Sequence, residues 1–184
     1  MGACQRLGIL EPVGVRRAAV TDASAVRALL EPAMRQGDLL PLVPQNLQRM
    51  LHPFGLEWCA FVAYSQGRAE GCPESLRDET GSTLTGFAGL RFWTPTHAEV
   101  RTLCVGVDAQ GQGVGRRLLM RLEAEAALRG AKTLFALTKA PHFFARFGFE
   151  VVGKEAFPWK VSGDCFGCAK RAGCQEVAVS KELL

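Results

Sequence analysis

The spacing of apolar residues changes character several times along the chain, and each change marks an element. Residues 13–19 read as a first strand, and Thr21 or Asp22 stands where it can N-cap a helix whose apolar positions are Ala25, Val26, Leu29 and Leu30. Pro32 should stop or bend that helix, because a ring without an N–H interrupts the hydrogen-bond ladder. A loop at Gly37-Asp38-Leu39-Leu40-Pro41 leads to a short helix around 45–51, ended by Pro53. Trp58, Phe61, Val62 and Tyr64 make 58–64 a strand rich in aromatic and branched side chains. Residues 65–82 are polar, hold three glycines and one proline, and show no periodicity, so they read as a long, mobile hairpin connection. Residues 84–93 and 98–107 are then two strands of an antiparallel meander, separated by a turn at Pro95.

Helical spacing returns at 116–129. Val114, Leu118, Leu119, Leu122 and Ala126 share one face, while Arg117, Arg121, Glu125 and Arg129 share the other, and Gly130 is placed to end the helix. Residues 132–138 form another strand, Pro141 starts a short helix, 149–152 rejoin the sheet, and 176–180 make a final edge strand. No internal repeat is present.

Composition narrows the field. The chain has 184 residues, enough for one domain spanning 1–184, with 48% hydrophobic and 22% charged residues. The net charge is +4, and the arginines are dispersed except for Arg116, Arg117 and Arg121. That favours one anionic ligand over a nucleic-acid-binding face. No window approaches the about 18 uninterrupted apolar residues of a membrane helix, and no secretory signal opens the chain. Arg6 stands where a myristoylation signal at Gly2 needs Ser or Thr, so a cytoplasmic location is expected, with no membrane partner. An odd count of seven cysteines fits reduced thiols better than a disulfide framework.

The densest chemical signal is Gln110-Gly111-Gln112-Gly113-Val114-Gly115, lying between the strand residues 103–107 and the helix. A glycine-rich turn at a helix N-terminus binds anions through free N–H groups and the positive end of the helix dipole. A dinucleotide loop needs a third spaced glycine and an acidic residue about 20 positions on, and a Walker loop needs Gly-Lys-Ser/Thr; neither is present. Gln110, Gly113 and Gly115 do match Gln/Arg-x-x-Gly-x-Gly/Ala, which resembles the acetyl-CoA signature of the GCN5-related N-acetyltransferases (GNAT). The order of elements over 15–161 is similar to that superfamily, as is Phe143-Phe144-Ala145-Arg146-Phe147-Gly148-Phe149, a late helix followed by a Gly-Phe turn.

The resemblance implies an α/β (α+β) GNAT fold: a single, mixed, mainly antiparallel sheet of six to seven strands with helices on both faces. It also implies acetyl-CoA as co-substrate, held by Cys104, Val105, Val107, Gln110, Gly111, Gln112, Gly113, Val114, Gly115, Arg116 and Phe144, with no metal required. Several members carry a carboxylate where this chain has Glu99, which would take the amine proton directly or through water; the competing reading pairs Glu99 with Arg101 or Arg91. Many members place a tyrosine where this chain has Phe144, so the departing thiolate needs water, Thr138, His142 or no dedicated acid. Cys104 reads as a small buried hydrophobe rather than a nucleophile.

Asp38-Leu39-Leu40-Pro41, Glu99-Val100-Arg101-Thr102-Leu103-Cys104-Val105, Leu137-Thr138, Pro158-Trp159-Lys160-Val161 and Asp164-Cys165-Phe166-Gly167-Cys168 together look like the short, stand-alone N-acetylglutamate synthases. These acetylate the α-amine of L-glutamate in a ternary complex and begin arginine biosynthesis. Two substrate carboxylates call for cations or polar donors, here Arg101, Thr138, Lys139 and Lys160, with Arg91 and Arg35 behind them. Leu42 stands where relatives often have an arginine. The segment 158–184 also carries Cys165, Cys168 and Cys174, at a spacing that suits zinc only if Asp164 or another thiol completes the set. Another amino acid, a polyamine or a protein N-terminus as acceptor, and a silent acetyl-CoA-binding regulator, remain open, and the reading allows a homodimer.

Overall fold

The structure is a computed structural model that describes residues 14–40, 42–65, 73–78, 80–169 and 171–183. Val13, Pro41, Cys4, Cys72 and much of the 65–82 connection lie outside the described residues. Among the described residues seven strands make one sheet in the order β1-β2-β3-β4-β5-β7-β6. These are β1 (Gly14–Arg17), β2 (Trp58–Ser65), β3 (Thr83–Thr94), β4 (His97–Val105), β5 (Thr133–Thr138), β6 (Glu150–Val152) and β7 (Val177–Glu182). All neighbours are antiparallel except β4 and β5, which are parallel.

Both faces of the sheet are covered, as its near-continuous apolar strands require. On one face α3 (Val114–Leu128) buries Leu118, Leu119, Leu122 and Ala126 against Phe61, Ala88, Ala98, Val100 and Leu134, joined by Phe144 of α4 (Pro141–Ala145). On the other, α1 (Ala23–Arg35) and α2 (Pro44–Leu51) pack Val26, Leu29, Leu30, Leu47 and Met50 against Trp58, Ala60, Val62 and Phe87. Among the described residues no helix is long and apolar enough to cross a membrane.

Pro32 sits in the last turn of α1, which ends at Arg35, so the proline costs one rung just before the helix stops. Two expectations are corrected. Residues 177–182 are not an edge strand but lie between β5 and β6, with Ala178 and Val179 buried; β6 takes the edge. Glu125 is not on a solvent face of α3. It is buried, and Arg17, Arg121 and Arg129 surround it at 3.4, 3.6 and 2.7 Å, which supplies the compensation that a buried carboxylate needs.

Candidate active site

β4 and β5 pair only through His97–Thr133, Ala98–Leu134 and Glu99–Phe135. Past Glu99 their facing edges carry no ladder, and the wedge between them opens into a cleft of about 880 Å3. Its walls are Val100, Thr102, Leu103 and Val105 on one side, Ala136, Leu137 and Thr138 on the other, and Phe143, Phe144 and Phe147 across the mouth.

A bulge shapes the β4 wall. Phe87 faces Cys104 and Gly89 faces Arg101, so Thr102 and Leu103 together oppose Ala88, and Thr102 takes φ 54°. A β-branched residue in the left-handed region costs about 1–3 kcal/mol, strain that the surrounding sheet must hold. The bulge also resets which side chains face the cleft. Ala98 and Val100 pack on the α3 side; after the extra residue Leu103 and Val105 do so, and Cys104 turns toward α1 and α2. Strict alternation would have put Cys104 in the cleft. Its thiol is half-buried, and burial pushes its pKa up, in keeping with a packing role.

The glycine turn closes one end of the cleft. Gly111 and Gly113 have φ of 76° and 79°, and a Cβ on either would meet nothing within 4 Å. The first rung of α3 runs from Arg117 N–H to the Gly113 carbonyl at 3.1 Å, so the N–H groups of Val114, Gly115 and Arg116 precede the ladder. Open space, bare backbone and a helix N-terminus fit a pyrophosphate. Gln110 and Gln112 brace the turn: their amides donate to the Val105 carbonyl at 3.3 Å and the Asp108 carbonyl at 2.8 Å. At Gly115 a Cβ would stand 3.2 Å from the Phe143 ring, so that glycine lets α3 and α4 meet.

Of the residues read as acetyl-CoA contacts, Val105, Gln110, Gly111, Gly113, Val114, Gly115, Arg116 and Phe144 line this cleft. Val107 instead lines a second, adjoining cavity of about 520 Å3 under α1, together with Cys104 and Leu39. Thr138 also lines the cleft and accepts the Ala140 N–H at 2.9 Å, while Lys139 reaches away to the Gly37 carbonyl at 3.1 Å, holding the first loop.

The remaining candidates converge elsewhere. Glu99 is 3% exposed; Trp93 donates to it through Nε1 at 2.7 Å, Lys160 Nζ lies at 2.7 Å, and Arg101 at 3.5 Å. Lys160, also buried, reaches Asp164 at 2.9 Å, and Asp164 is bonded by Arg101 and by Arg91 at 3.2 Å. Arg91 lies 3.5 Å from the Trp93 ring centre and 4.8 Å from that of Trp58, against which Arg101 also rests at 5.3 Å. Arg101 and Lys160 were legible as cations; Trp58 and the bonds from Arg91 and Arg101 to Asp164 were not legible as their setting, because contacts across such sequence distances leave no local pattern. The cysteine tail gathers differently: Lys154 donates to Cys174 Sγ at 3.3 Å, and among the described residues no three His, Cys, Asp or Glu stand together as metal ligands.

Burial alone would raise the Asp164 carboxyl, but the Lys160 hydrogen bond and charge, then those of Arg101, outweigh it and hold the pKa at about 2, below its ordinary 3.8. A depressed folded-state pKa contributes stability above the unfolded value that disappears as pH falls through the folded one. Thermal melts should therefore show wild type more stable than Asp164→Asn at neutral pH, with the difference closing between about pH 4 and pH 2; a constant difference would refute the linkage.

Residues 43–149 match the acetyltransferase (GNAT) family. The chain belongs to that family. An uncharacterized N-acetyltransferase of Chlorobaculum tepidum is 32% identical over 92% of this GNAT chain and 96% of its own length. The amino-acid acetyltransferase of Pseudomonas fluorescens is 28% identical over 78% of this chain, which spans only 29% of that relative. N-acetylglutamate synthase from Neisseria gonorrhoeae, complexed with coenzyme A and N-acetyl-glutamate, superposes with a TM-score of 0.73 at 24% identity, over 94% of this chain and 35% of its own. A Mycobacterium tuberculosis protein in complex with CoA matches at TM-score 0.65 and 22% identity, over 93% of this chain and 99% of its own. The cleft and the charged cluster are thus parts of a GNAT acyltransferase.

Proposed function

We propose that this enzyme transfers an acetyl group from acetyl-CoA to the α-amine of an amino acid carrying carboxylates, with L-glutamate as the acceptor that the site suits best. The observation that carries the acceptor is the gathering of Arg91, Arg101 and Lys160 over Trp58 and Trp93, beside the β4 bulge. Planar guanidinium forks and an ammonium are the groups that fix carboxylates. The amino-acid acetyltransferase relatives and the N-acetylglutamate synthase neighbour support the same choice.

In this reading the pyrophosphate rests on the N–H groups of residues 113–116, and the pantetheine arm lies along the unpaired edge of β4. Backbone at Thr102 and Leu103, on the cleft wall, orients the thioester carbonyl. Glu99, held in place by Trp93 and Lys160, takes the amine proton. Phe144, buried between Phe143 and Phe149 at ring separations of 5.2 Å, packs the arm and donates nothing, so the thiolate takes its proton from water at the cleft mouth. No step calls for a metal.

A thiol-release assay with acetyl-CoA and a panel of amines tests the acceptor. Glutamate should exceed glycine, lysine and a polyamine by at least about 10-fold in kcat/KM, the worth of one well-made charged contact. Equal turnover across the panel would sink the glutamate assignment and leave acetyl transfer standing.

A further inference from the structure

The cation cluster already holds a carboxylate, and the chain itself supplies it. Asp164 takes Lys160 Nζ at 2.9 Å, Arg91 at 3.2 Å and the Arg101 guanidinium, so three cations meet on one side chain. Glu99 lies beneath them at 3% side-chain exposure, whereas Asp164 keeps 31% and forms the outer layer. A free amino acid reaching the same cations from solvent would need the position that Asp164 fills.

The segment carrying Asp164 has few other ties. Val161–Cys165 is a single π-helical turn, a loose geometry rarely sustained. Ser162 Oγ donates to the Pro158 carbonyl and Val161 N–H to that of Phe157, which tie the segment to the short helix before it, while Cys168 N–H donates to the Cys165 carbonyl and Arg171 N–H to that of Cys168 within it. Gly163 rests on Trp93, where a Cβ would stand 3.3 Å from the ring. Among the described residues of 161–173, the hydrogen bonds to the strands all run through Asp164.

We propose that Asp164 is an internal substitute for the acceptor's carboxylate, and that an incoming carboxylate displaces it and loosens residues 161–173. This rests on the reading that the acceptor is a carboxylate-bearing amino acid. The exchange swaps one carboxylate for another, so no buried cation is left uncompensated at either end of it. It also sets specificity. A simple amine brings nothing that can replace Asp164, while a dicarboxylic amino acid does so with one carboxylate and keeps the other for further contacts. The occupied state lowers apparent affinity by the fraction of sites that are open; a pocket filled nine-tenths of the time binds about 10-fold more weakly than a vacant one.

Glutarate separates this from catalysis, since it has two carboxylates and no amine to acetylate. Its binding to the full chain is followed by calorimetry, and amide hydrogen exchange over 161–173 is measured with and without it. Wild type should show faster exchange in that segment on binding, and Asp164→Asn should bind glutarate about 10-fold tighter with no further change in exchange. Equal affinity in the two proteins, or wild-type binding that leaves the segment's exchange unchanged or slower, overturns the proposal; so does failure of both proteins to bind. The wild-type exchange measurement needs no variant, and Asp164→Ser stands in should the asparagine form fold poorly. Because no turnover is scored, a failure here is distinguishable from a failure of the acceptor panel.

Discussion

Gly113→Val is expected to abolish acetyl-CoA binding at ordinary concentrations, a loss of at least about 100-fold, while the protein still folds. Gly113 stands at φ 79°, where a branched L-residue costs about 1–3 kcal/mol. The turn can relieve that strain only by rotating, which re-aims the N–H groups of residues 114–116. The added side chain would also project into the open space proposed for the pyrophosphate, since nothing of the protein lies within 4 Å of a Cβ there. For the same reason no core contact is broken, and the effect should fall on the ligand. Gly130→Val is the control: it has φ 86°, equally free surroundings and a place at the far end of α3, so it carries the backbone strain without the binding loss. Calorimetric titration of both variants decides. If Gly113→Val binds acetyl-CoA within a few-fold of wild type, the pyrophosphate does not sit on this turn.

Glu99→Gln should lower kcat by about 100-fold while leaving acetyl-CoA affinity intact. Glutamine keeps the shape and still accepts from Trp93, so the change removes the proton acceptor with little loss of packing. The structure supplies a sharp rival. Glu99 is paired with buried Lys160, and if it only anchors that lysine, Gln should raise the acceptor KM and lower the melting temperature, with kcat and its pH dependence almost unmoved. The split between kcat and KM, taken across pH, separates proton transfer from positioning.

Much of the fold was legible because period and punctuation agree locally. Leu118, Leu119, Leu122 and Ala126 recur at helical spacing and are all buried, and Trp58, Phe61 and Val62 read as a strand and lie in the sheet. The glycine turn was legible for the same reason: its requirement for positive φ is written in residue type at Gly111 and Gly113. What escaped was set by tertiary pairing. No residue type announced the bulge at Thr102, which turns Cys104, read as a co-substrate contact, toward α1 and α2. Strand order escaped too, since whether 177–182 lies inside or at the edge depends on where β6 docks. The charged cluster was half legible. Arg101 and Lys160 stood out as cations and Glu99 as a partner of Arg101, but that Asp164, four residues from Lys160, also takes Arg101 and Arg91 depends on the meeting of distant stretches of chain.

The three residue pairs between β4 and β5 bear on more than access to the cleft. They make the sheet two leaves, β1 to β4 and β5 with β7 and β6, bound along a short spine at 97–99. Along the rest of the seam each leaf presents main-chain donors and acceptors that no strand completes. An extended amide-bearing arm laid in that slot would act as a missing strand, and the same rungs that hold it would hold the leaves together. An arm bound there would stiffen the seam, so that ligand binding and the cohesion of the two leaves would be coupled through the same rungs.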